Sequence, residues 1–170
     1  PSLFVGSARC EYETGLAHGV GAPNFSVADA WAPAARRLRE DPNLRILTTA
    51  NGLRIPALFH KQKTSRGRDY LVLYSHGNAE DLSTIYHYFK EFAKAVDVNI
   101  LAYDYTGYGK NRGEPSEAHV CADIEAAWKH LVETRKMRPS EIVLYGRSVG
   151  SGATCYLAQK LSIEGTPAGE

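Results

Sequence analysis

The stretch Ile142-Val-Leu-Tyr-Gly146-Arg-Ser148-Val-Gly150-Ser-Gly-Ala153 decides the fold of this chain. Four apolar residues run straight into Gly-x-Ser-x-Gly, and small residues follow. A short continuous apolar run reads as a strand buried on both faces. The small-residue segment reads as a helix beginning at Val149. Strand, sharp turn with a serine, then helix is the form of a nucleophile elbow. Gly146 and Gly150 have a physical job in such a turn, because a strand that becomes a helix at once brings neighbouring backbone close. The helix aims its first N–H groups at Ser148, where a developing oxyanion is favoured.

Working outward, the same alternation of strand and helix recurs. Tyr70–Ser75 and Val98–Tyr103 are buried-strand runs. Leu82, Ile85, Phe89, Phe92 or Ala93, and Val96 recur at helical spacing, as do Val120, Ile124, Ala127, Trp128 and Leu131. Pro139 is expected to end that second helix. Leu44–Ala50 and Leu53–His60 are strand-like runs joined by Asn51-Gly52, a hairpin turn signal. Lys61–Asp69 is a polar loop. Alternating strands and helices with short links predict a three-layer α/β/α sandwich over residues 44–170. Residues 1–43 read as a weakly structured N-terminal extension, with a short helix over Ala28–Glu40.

Composition sets limits. The chain has 170 residues and a formal charge of +1, with basic residues scattered rather than striped. That length allows one domain burying roughly 70% of its unfolded surface. No nucleic-acid footprint is present; Arg36-Arg37-Leu-Arg39 reads as a solvated helix face. Cys10, Cys121 and Cys155 make neither a disulfide framework nor a metal pattern. A reducing compartment is therefore expected, and no metal or cofactor is implied. No apolar run reaches the ~20 residues of a spanning helix. Asn24-Phe-Ser26 fits a glycosylation acceptor but lacks a secretory signal.

Ser75-His76-Gly77-Asn78 ends a buried strand, as the Ser148 elbow does. Ligands in open α/β sheets sit beyond the carboxyl ends of the strands. Both loops thus belong at one edge of the sheet. In serine hydrolases of this architecture one oxyanion donor is the N–H after the nucleophile, here Val149. The other comes from the loop after the third strand, by position Asn78. His76 precedes the serine, whereas the usual order is nucleophile, acid, histidine. It is assigned, with Gly77, to support of the loop. Asp104-Tyr-Thr-Gly-Tyr-Gly-Lys-Asn-Arg-Gly113 matches neither the P-loop nor the dinucleotide pattern. Asp104 there reads as a loop organiser.

Several segments together resemble the α/β-hydrolase superfamily, and more closely the α/β-hydrolase domain-containing protein 17 family of protein depalmitoylases. They are Leu73-Tyr-Ser-His-Gly-Asn-Ala79 with Asp81-Leu82, Tyr103-Asp-Tyr-Thr-Gly-Tyr-Gly109, Gly113-Glu-Pro-Ser-Glu117, Ala122-Asp-Ile-Glu-Ala-Ala-Trp128 and Leu144-Tyr-Gly-Arg-Ser-Val-Gly150. The resemblance implies the α/β-hydrolase fold, a Ser–Asp–His triad with Ser148 as nucleophile, and Asn78 and Val149 as oxyanion donors. S-acylated proteins or acyl esters are the implied substrates. A cytoplasmic location, peripheral to a membrane when an N-terminal cysteine cluster is present, also follows; Cys10 stands alone here. The twenty-two residues after Ser148 hold no Asp and no His. The chain therefore reads as the N-terminal part of such an enzyme, cut off after the nucleophile helix and expected to have little activity alone. A small-ester or lipid hydrolase shares the same motifs. So does a non-catalytic, hydrolase-like binding protein, which a downstream Asp and His in the reading frame would exclude.

Overall fold

The structure is a computed structural model that describes residues 32–62 and 70–169. The expected 1–31 part of the extension, including Cys10 and Asn24-Phe-Ser26, lies outside the described residues, as do residues 63–69 of the polar loop.

Five strands form one mixed sheet in the order β1-β2-β4-β3-β5. They are β1 (Leu44–Thr48), β2 (Arg54–His60), β3 (Leu71–Ser75), β4 (Asn99–Tyr103) and β5 (Ile142–Gly146). The β1–β2 and β2–β4 pairings are antiparallel; β3 pairs parallel with β4 on one side and with β5 on the other. The β1–β2 turn follows from its residues. Gly52 N–H donates to Thr49 O (2.9 Å), and Gly52 takes φ +80°, where a side chain would be strained.

Helices cover both faces, so the three-layer expectation holds. Residues at odd and even positions of each strand point to opposite layers. On β3, Leu71 and Leu73 join one cluster, while Val72 and Tyr74 join the other. The first cluster is closed by α3 (Glu117–Lys129) and α4 (Val149–Ile163), through Val120, Ile124, Ala127, Ala153, Leu157 and Leu161. The second is closed by α2 (Leu82–Val96), through Leu82, Ile85, Tyr86, Phe89 and Ala93. In each helix these residues recur every three or four positions, which gives one apolar face.

The short helix expected over Ala28–Glu40 is present from the first described residue as α1 (Ala32–Glu40), and its Leu38 packs on the α2 cluster. That docking is pinned by the Tyr86 hydroxyl, which donates to Asp41 Oδ2 just after the helix (2.9 Å). Pro139 does not end α3. The helix loosens into a π-turn over His130–Thr134 and stops where Lys136 turns left-handed (φ 57°). Pro139 instead opens a separate 3₁₀ turn, Pro139–Glu141, where its missing N–H costs nothing.

Candidate active site

Parallel pairing of β3 with β5 places Ser75 opposite Gly146. The chain leaving β3 as His76-Gly77-Asn78 and the chain leaving β5 as Arg147-Ser148 therefore emerge at the same sheet edge. A backbone bond joins them: Arg147 N–H donates to Ser75 O (3.0 Å). The glycines permit this approach. A Cβ on Gly150 would lie 2.3 Å from Ser75 O and 2.6 Å from His76 O; one on Gly146 would lie 2.4 Å from Gly150 O. The atoms met are backbone, so a side chain at either position would force the two chain segments apart.

Ser148 occupies the turn with φ 53° and ψ −120°, outside the regions open to ordinary residues. Holding a non-glycine residue there costs of order 1–3 kcal/mol, and such strain gathers at functional sites. The surroundings fix it. Gly150 N–H donates to Arg147 O, and Ser151 donates both its N–H and its hydroxyl to Ser148 O. The serine is exposed and directly precedes the first residue of α4, Val149.

The opposing loop is built from below. His76 is fully buried, its ring 4.2 Å from that of Tyr105. Nδ1 lies 2.9 Å from Gly77 O, which can only accept, so Nδ1 carries the proton. Nε2 has no hydrogen-bond partner and sits 3.6 Å from Asp104 Oδ1, too far for a bond. Burial pulls the imidazole down to about 4 and pushes the Asp104 carboxyl well up. The separation alone would suggest an ion pair, but burial penalises both charges, and we read the contact as neutral. Asp104 accepts from Leu82 N–H (2.7 Å) and so ties the β4 loop to the start of α2. Tyr105 donates to His76 O (2.7 Å) and Tyr108 to Asn78 Oδ1 (3.0 Å).

Asn78 is exposed in this loop, and Val149 is half-buried at the start of α4. The Gly77 N–H is already taken by Glu80 Oε2 (2.7 Å). Glu80 also pairs, through Oε1, with Arg147 Nη1. Sequence reasoning missed Glu80, Arg147, Tyr105 and Tyr108. Their roles depend on contacts between separate loops, and no spacing signals those.

Among the described residues no cluster of His, Cys, Asp or Glu is arranged to hold a metal ion. A surface groove lined by Tyr156, Gln159, Lys160, Ile163 and Glu164 follows the later turns of α4. It begins eight residues beyond Ser148, about 12 Å along a helix, and takes no part in the elbow.

The profile of the family described as "Serine aminopeptidase, S33" matches residues 67–164, which hold both loops and α4. The chain belongs to this α/β-hydrolase family. It is similar to alpha/beta hydrolase domain-containing protein 17C of Xenopus tropicalis, 44% identical over 58% of this chain and 32% of the relative. The mouse protein of the same description is 34% identical over 87% of this chain and 45% of its own length. The hydrolase chain thus spans under half of the curated relatives it matches. Among solved structures, an alpha-beta hydrolase from Vibrio vulnificus superposes with a TM-score of 0.67, at 20% identity, over 82% of this chain and 48% of that one. This likeness supports the hydrolase fold.

Proposed function

We propose that this chain carries the nucleophile and the oxyanion loop of a serine hydrolase acting on acyl thioesters or esters. The observation that carries the reading is Ser148 itself: strained, exposed, and held through Arg147 N–H to Ser75 O, the residue just before the His76-Gly77-Asn78 loop. A glycine turn without chemistry has no need of a strained, exposed serine.

In this reading Ser148 Oγ attacks the acyl carbonyl and its proton passes to a histidine. By the chain order of the fold, that histidine and its acid follow the serine. The tetrahedral oxyanion accepts N–H bonds from Asn78 and Val149, each typically worth ~3–4 kcal/mol. Collapse expels a thiol or alcohol that takes the proton back, and water then releases the acid from Ser148. His76 is not the base: its protonated nitrogen faces Gly77 O and its free nitrogen faces Asp104. The resemblance to the α/β-hydrolase domain-containing protein 17 family supports palmitoylated proteins as substrates, at a membrane surface. No helix among the described residues is long and apolar enough to cross a membrane.

The test uses the protein encoded by the complete reading frame. Wild type is expected to release the acyl chain from an S-palmitoylated substrate and Ser148→Ala to release none. Equal release by both rejects the reading. Activity confined to short soluble esters selects the small-ester hydrolase. Failure of a fluorophosphonate to label Ser148 selects the binding protein.

A further inference from the structure

We infer that Glu80 and Arg147 are positioning residues that lock the oxyanion loop to the nucleophile turn, and that Arg147 neutralises a carboxylate beside the oxyanion site. The inference rests on the proposed serine-hydrolase reading and adds two residues to it.

Glu80 follows the His76-Gly77-Asn78 loop by two residues; Arg147 immediately precedes the serine. One carboxylate oxygen of Glu80 takes the Gly77 N–H at 2.7 Å, and the other meets the Arg147 guanidinium. The Glu80 side chain is only 18% exposed. It therefore adds a side-chain bridge between two segments already joined by the backbone bond from Arg147 N–H to Ser75 O. Glu80 holds the peptide before Gly77; the next peptide, which carries the Asn78 N–H, is held at Gly77 O by His76 Nδ1 (2.9 Å).

A carboxylate is an unfavourable neighbour for a developing oxyanion. Like charges a few ångströms apart in a partly buried site raise a barrier enough to slow a reaction on the order of 10²-fold. Glu80 is tolerated because Arg147 neutralises it. The sign of the coupling follows. Loss of Arg147 alone leaves a bare negative charge at the site. Loss of both charges, with Glu80→Gln as the second change, leaves a neutral side chain whose amide oxygen still accepts from Gly77 N–H. The double change should therefore be milder than the single one.

The experiment measures kcat and KM for a p-nitrophenyl acyl ester in the protein encoded by the complete reading frame. Arg147→Gln is expected to lower kcat by about 30-fold, within the cost of disturbing one oxyanion donor, with KM changed by less than about threefold. Glu80→Gln should lower kcat by less than about fivefold, and Glu80→Gln with Arg147→Gln should recover most of the single-variant loss. Arg147→Lys keeps the charge and should stay within about fivefold of wild type. Melting temperatures of all four variants identify any that misfold, and Arg147→Lys then carries the test. Additive losses in the double variant, or a loss expressed in KM alone, overturn the inference while the hydrolase reading stands. A Ser148 that neither turns over ester nor reacts with a fluorophosphonate overturns both.

Discussion

At the scale of single residues, space and charge make separate demands on this chain. Gly150 is there for space. Its φ is ordinary, yet a Cβ would lie 2.3 Å from the Ser75 carbonyl oxygen. Gly52 is there for conformation: it has φ +80° with nothing within 4 Å. Gly52→Ala should cost about 1 kcal/mol, while Gly150→Ala must push two backbones apart and should cost more than about 3 kcal/mol. Urea unfolding of both variants measures the difference, and equal costs would contradict the close approach. Asp123 illustrates charge. Buried beneath the β4 loop, it accepts from Thr106 N–H (2.7 Å) and Thr106 hydroxyl (2.9 Å). Burial outweighs these bonds and lifts its pKa from 3.8 to about 6. A carboxyl that binds its proton more tightly when folded favours the folded state at low pH and loses that contribution as pH rises through about 6. Asp123→Asn keeps an acceptor for Thr106 N–H and removes the titration. It should match wild type near pH 4 and exceed it by about 3 kcal/mol at pH 7. Unfolding curves at the two pH values check this; a variant less stable at pH 7 would show that the ionised form is the better partner.

At the scale of elements, local chemistry decides where helices begin. Asp81 caps α2 through Oδ1, which accepts from Ser83 N–H (2.8 Å) and Thr84 N–H (2.9 Å), while the Thr84 hydroxyl accepts from Asp81 N–H (2.9 Å). Asp81→Ala should cost about 1–2 kcal/mol and speed amide exchange in the first turn of α2. Unchanged exchange at Ser83 and Thr84 would mean that the Asp104 bond to Leu82 holds the turn alone. The existence and order of the elements were legible in the sequence because each carries its own period. Leu82, Ile85 and Phe89 announce a helix; the unbroken Leu71–Tyr74 run announces a buried strand. Pro139 misled because a proline suits the first turn of an element as well as the close of one: α3 had already stopped at the left-handed Lys136, and Pro139 opens the 3₁₀ turn that follows. The elbow was legible for the same local reason: Gly146, Ser148 and Gly150 lie within five residues. The Glu80–Arg147 pair was not, since sixty-seven positions separate its members and only the parallel pairing of β3 with β5 brings them together.

At the scale of the whole molecule, the sheet is unevenly covered. β3 and β4 lie inside and are buried along their length. β5 is an edge: among the described residues it pairs with β3 alone, and only Ile142 of its five residues is fully buried. Val143, Leu144, Tyr145 and Gly146 remain half-buried. On one face Tyr145 stacks on Tyr74 (5.1 Å between ring centres) and meets Phe92, while Tyr88 of the same aromatic group is 50% exposed. The C-terminal segment meets this edge at its start, where Gly169 N–H donates to Ile142 O (2.9 Å). Beyond Ile142 the edge is a run of apolar residues with no strand beside it among the described residues, and such an edge recruits other chains, an apolar face beside it adding to the attraction. The 170-residue chain by itself should therefore associate at micromolar concentration, through β5. Light scattering reads the mass, and amide exchange across residues 140–150 reads the edge. Replacing Val143 by Lys puts a charge on that edge and should shift the mass towards monomer without unfolding the sheet. A monodisperse wild-type chain whose β5 amides exchange slowly would show that the edge is covered from within the 170 residues, and would overturn the prediction.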